Sequence, residues 1–127
     1  MKKNIIFMVM GLLLITVIVH GANVSKVRNA VLAFHTPYQC PLTLKFMAEI
    51  TTEGPSDVKY QWVRSDGFRT PEILLHFDRA ETKTVRYSWT LPAYNPVLQT
   101  QWTQVQILSP NSLISNRAGA SVHCRPR

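Results

Sequence analysis

An all-β antiparallel sandwich is the fold that this 127-residue chain predicts. Three observations carry it. Several short stretches alternate apolar and polar residues with the two-residue period of half-buried strands. No stretch combines a helical period with a cap. Every proline beyond the first segment falls at a strand end or in a connection, where its missing N–H does least harm.

The first segment is read as a signal peptide. Lys2 and Lys3 precede an apolar run from Ile5 to Val19, broken only by Gly11 and Thr16. The run is short for a membrane span, which needs about 20 residues. Small residues follow, and Val19 and Gly21 suit the −3 and −1 positions of a cleavage site. The expected division is therefore a signal peptide over 1–21 and one domain over 22–127. An uncleaved anchor is the alternative. No cysteine follows the apolar run, so lipoprotein attachment has no support. The expected location is outside the cytoplasm, either secreted or in the periplasm and cell envelope.

The elements of the domain follow in order. Val27 to Phe34 is apolar and β-branched enough for a first strand, ended by His35-Thr36-Pro37. Cys40-Pro41 opens the second. There Leu42, Leu44, Phe46, Ala48 and Ile50 point one way and Thr43, Lys45, Met47, Glu49 and Thr51 the other. Gly54 to Asp57 turns the chain into a third strand, Val58 to Arg64, in which Val58, Tyr60 and Trp62 alternate with Lys59 and Gln61. Ser65-Asp66-Gly67 reads as a tight turn, because Asp and Gly tolerate positive φ. Ile73, Leu75 and Phe77 form a short fourth strand, and Val85, Tyr87, Trp89 and Leu91 the inward face of a fifth, stopped by Pro92. Trp102 to Leu108 is the sixth, with Thr103, Val105 and Ile107 on one face. Trp102 is out of that register, which predicts a bulge or a tryptophan at the sandwich rim. Ser109-Pro110-Asn111 and a polar connection lead to a last strand with Ala120, Val122 and Cys124 alternating. About seven short strands at these spacings suit an immunoglobulin-like sandwich.

Cys40 and Cys124 are the two cysteines. An exported chain with an even count normally pairs them, and CxxC spacing is absent. With strands alternating in direction, the start of the second and the end of the seventh lie at one end of the sandwich. A Cys40–Cys124 bridge would staple that end.

Cys40-Pro41, Gly54-Pro55, the run Tyr60 to Gly67, Thr84-Val85 with Trp89, Trp102 with Ile107 to Asn111, and Val122-His123-Cys124 together carry a resemblance. The chain resembles an immunoglobulin-like or fibronectin type III-like domain of exported bacterial proteins, over about Cys40 to Cys124. The resemblance implies the fold and little about function, since such folds host many. It offers Tyr94 as a candidate for the tyrosine corner of such sandwiches.

Catalytic chemistry finds little footing. His35, His76 and His123 lack zinc-motif spacing and are read as surface residues. Most carboxylates lie in turns. No serine sits in a nucleophile elbow, and the domain has only Gly54, Gly67 and Gly119, too few for a phosphate loop. A non-enzyme without cofactor or metal is expected. Removing Lys2 and Lys3 from the 14 basic residues leaves 12 against 7 acidic ones, a net charge of +5. No basic run appears, so the charges are expected to be spread over loops and outer faces, with no specific nucleic-acid signal.

Binding is the better class, with a protein or a glycan as ligand. One candidate surface is the outer face of the third, sixth and seventh strands, bearing Lys59, Gln61, Val63, Gln104, Gln106, Ser121 and His123, with Trp102 beside them. The other is the turn end, where Phe68 and Arg69 place an aromatic beside a cation. An accessory or structural part of an envelope or fibre assembly is the competing reading.

Overall fold

The computed structural model describes residues 21–32, 41–91 and 99–122. Within them the chain is all-β. The strands are β1 (Val24–Val31), β2 (Leu42–Thr52), β3 (Ser56–Arg64), β4 (Ile73–Phe77), β5 (Thr82–Leu91), β6 (Gln99–Ser109), β7 (Leu113–Ile114) and β8 (Ala118–Val122). They form two antiparallel sheets of a β-sandwich. One has the order β1-β2-β5; the other has β4-β3-β6-β7, with β8 also pairing β6.

The alternation in the sequence becomes the core. Leu44, Phe46, Ala48 and Ile50 of β2, and Val85, Trp89 and Leu91 of β5, face Val58, Tyr60 and Trp62 of β3, Phe77 of β4, and Val105 and Ile107 of β6. Burying such side chains stabilises by about 1.5–3 kcal/mol each for the aliphatic ones. Thr103 is fully buried in register with Val105, as the parity predicts. Leu42 and Tyr87 are only half-buried.

The expected turn at Ser65-Asp66-Gly67 forms, with Gly67 at φ 90°. Asp66 Oδ1 accepts the Phe68 N–H at 3.0 Å, and Gly67 N–H donates to Arg64 O. The chain then returns along β3, since Thr70 N–H reaches Trp62 O and the Trp62 N–H reaches Thr70 Oγ1.

Three features depart from the sequence reading. The first strand runs earlier than Val27 to Phe34, starting at Val24. Trp102 marks no bulge: β6 pairs β8 without a shift from Gln99 to Thr103, and Trp102 is on the outer face with Arg117 4.1 Å above its ring. Opposite it is Gly119, where a Cβ would come within 2.7 Å of Trp102 Cα, so only glycine fits. The polar connection after Ser109 contains β7. Ser115 keeps the ladder going between β7 and β8, because its N–H donates to Val105 O while its hydroxyl accepts the Val105 N–H at 2.8 Å.

That connection also closes a sheet edge. Asn111 Oδ1 accepts the Val24 N–H and its Nδ2 donates to Val24 O, at 2.8 and 3.0 Å. Asn116 does the same at Asn29, both at 2.9 Å. Two side-chain amides thus take the place of a neighbouring strand along β1, protecting an edge that would otherwise invite pairing with another chain. Asn29 itself is buried and donates to Thr103 O and Oγ1. Replacing both Asn111 and Asn116 by Ala is expected to cost about 2–4 kcal/mol, from the backbone groups left unpaired. It is also expected to cause concentration-dependent association, read by sedimentation. Unchanged melting with a monomeric variant would contradict the edge role.

Candidate functional surface

The outer face of the five-stranded sheet is built by register. Gln61 lies opposite Gln106 and Val63 opposite Gln104, so four of the expected surface residues form one block. Gln61 Nε2 donates to Gln106 Oε1 at 2.8 Å. The same oxygen accepts Arg69 Nη1 at 2.8 Å. The sheet face and the turn end, read separately from the sequence, are therefore joined through Gln106. Lys59 is exposed on the same face, beside Leu74 of β4. Ser121 lies farther along the face, with its hydroxyl 3.1 Å from that of Thr100. His123, Cys40, Cys124, His35 and Tyr94 lie outside the described residues.

Sequence reading missed two apolar residues on this face. Leu74 is 63% exposed and Ile114 54% exposed. Ile114 pairs with Gln106, and a shallow groove lined by Gln106, Ser112, Leu113 and Ile114 runs beside it. The parity of β4 holds the signal for Leu74, since the alternation of Ile73, Leu75 and Phe77 leaves it on the other face. Ile114 had no such signal, because a two-residue strand shows no period.

The turn end is held by a stack of rings and a cation. The Arg64 guanidinium is 4.5 Å from the Phe68 ring centre and 4.4 Å from that of Trp89. Its Nη1 reaches the Tyr87 hydroxyl, and Asp66 pairs with its Nε and Nη2. The hydrogen bond from Arg64 holds the Asp66 carboxyl below the usual carboxylate range, and the same bond raises the Arg64 pKa. Phe68 neither enters the core nor swings free. It is 47% exposed, with Arg64 over its ring.

His76 is exposed, as its parity predicts, and is held between two carboxylates. Nδ1 is 2.5 Å from Asp57 Oδ1 and Nε2 is 2.8 Å from Asp78 Oδ1. The hydrogen bond to Asp57, then that to Asp78, raises its pKa. Any stabilisation from this pairing is fully present below the ordinary histidine value. It is lost as pH rises through the raised value of the folded chain, and solvent screens it. Among the described residues, no group of three or more His, Cys, Asp or Glu side chains is arranged to hold a metal ion.

Chemically, the surface offers amide donors and acceptors beside two cations, Arg69 and Lys59, bordered by apolar side chains. No family model, curated protein or solved structure matches the chain.

Proposed function

We propose that this chain is an exported, non-catalytic binding or adhesion module, and that a protein or glycan docks on the outer face of the five-stranded sheet together with Phe68 and Arg69. The observation that carries this reading is the shared Gln106 oxygen. It ties Arg69 to the Gln61–Gln106 pair, so a polar centre fixed by hydrogen bonds shares the outer face with exposed Leu74 and Ile114, while exposed Phe68 stands at the adjoining turn end. Aromatic and arginine side chains held in place are the usual energetic anchors of interfaces.

Within this reading the domain is immunoglobulin-like or fibronectin type III-like. The sheet order supports that kinship, with the first, second and fifth strands facing the third and sixth. The fourth strand joins β3, whereas antibody constant domains place it in the other sheet. Export with cleavage after Gly21, and a Cys40–Cys124 bridge, belong to the same proposal.

The test uses the tagged domain as bait in its own cell-envelope and culture fractions, beside the Phe68→Ala/Arg69→Ala variant. Truncating two anchors is expected to weaken capture by more than about tenfold without changing the melt. A species retained equally by both proteins would refute this surface.

A second reading, an accessory or structural part of an envelope or fibre assembly, draws on β5. This ten-residue strand pairs only β2 among the described residues, so no described strand lies against its other edge. Strand donation to such an edge builds fibres. Assembly of the purified chain into chains or rings, abolished by a proline at Ser88, would favour this reading.

A further inference from the structure

The fold gathers cations that are scattered in the sequence. The outer face of the three-stranded sheet carries Lys26, Arg28, Lys45 and Arg86, all exposed. Lys45 lies opposite Ser88, Arg86 opposite Met47, Arg28 opposite Glu49, and Lys26 opposite Thr51. One cation thus occupies each of four successive levels along the strands, about 6.7 Å apart. Glu49 is the only carboxylate in β1, β2 and β5. None of the four cations makes an ion pair with a described residue, whereas Arg64, Arg79 and Lys83 each engage a carboxylate. A hollow lined by Leu32, Lys45, Phe46, Arg86, Tyr87 and Ser88 lies on this side of the sandwich.

We propose that this face is a second binding surface and that its ligand is an anionic polysaccharide laid along the strands. Four cations with Glu49 as the one carboxylate among them leave this face net positive, a potential that a polyanion neutralises. The rest of the face selects among polyanions. Thr43, Thr84, Ser88 and Thr90 are exposed there, and their hydroxyls match the hydroxyl-rich surface of a sugar chain. No aromatic side chain of β1, β2 or β5 points to this outer face, so stacking of unpaired nucleic-acid bases has no platform. Its apolar residues are Ala30 and half-buried Met47, too little to enter a bilayer. The surface lies on the opposite sheet from the Gln61–Gln106 site, so a ligand here leaves that site open.

The experiment is fluorescence anisotropy of a labelled heparin fragment against the exported chain. Binding is expected at low salt and is expected to weaken as sodium chloride rises. Lys45→Gln/Arg86→Gln is expected to raise the dissociation constant about tenfold, as removal of two exposed charge contacts does. Arg79→Gln/Lys83→Gln removes the same charge from cations already engaged with Glu81, and is expected to stay within about twofold. Absence of binding would overturn the proposal. So would equal losses in the two variants, since net charge alone would then explain the signal. Tighter binding of single-stranded DNA, or of phosphatidylglycerol vesicles, than of the heparin fragment would likewise overturn it.

Discussion

Trp62→Ala is expected to destabilise the domain by about 3–5 kcal/mol. The side chain is 1% exposed near the end of β3 and stacks on Tyr87 of the facing sheet, ring centres 5.3 Å apart at 20°. It therefore packs on both sheets at once. Its strand is fixed on both sides, by Val105 of β6 and by the Thr70 hydrogen bonds, so the surroundings cannot collapse into the space left behind. The cost is the lost transfer energy plus the cavity. In a domain of this size the melting temperature should fall by more than about 10 °C. Trp62→Phe keeps a ring against Tyr87 and should lose less. A Trp62→Ala protein with unchanged melting would refute the core role.

The proposed Cys40–Cys124 bridge is expected to contribute about as much. The bridge would close a loop of over 80 residues, which in the chain-entropy model stabilises by roughly 4–5 kcal/mol before any strain. A domain this small buries a limited core, so such a staple is a large share of its stability. The ends of the flanking strands support the pairing. Leu42 at the start of β2 lies opposite Leu91, and Val122 at the end of β8 lies opposite Gln99. Leu91 and Gln99 are the two ends of one connection, so both strand termini belong to the same end of the sandwich. Mass measurement after alkylation should find no free thiol until reductant is added. Cys40→Ser/Cys124→Ser should unfold at markedly lower denaturant. Labelled cysteines in the untreated protein would defeat the prediction.

Much of the core was legible because alternation is a local property. The row Leu44, Phe46, Ala48, Ile50 needs no knowledge of its neighbours, and all four are fully buried. Val58, Tyr60 and Trp62 behaved likewise. Asn111 and Asn116 were not legible. In the sequence they resemble any turn residues, and their role depends on meeting β1, 87 positions away in each case. Trp102 was half legible. Parity put it outside the core, but only the pairing with Gly119 and the approach of Arg117 explained how an outward tryptophan is accommodated.

The candidate surfaces divide in the same way. Phe68 and Arg69 could be named from a turn, and Gln61 and Gln106 from strand parity. Their convergence on one oxygen is a consequence of register. The charge pattern is the sharpest case. Without any basic run, the sequence pointed to dispersed charges, yet Lys26, Arg28, Lys45 and Arg86 come from three strands to one face.

By itself, then, the sequence determined which side of β2, β3, β5 and β6 is buried and where the chain turns at Gly67. Both follow from steric and solvation preferences that act over two to four residues. Only the tertiary structure decided which outward residues are neighbours. That depends on strand order and register, set by how two apolar faces pack together and invisible along a single strand. Function at a surface is a matter of neighbours, so it is the outer faces that required the fold.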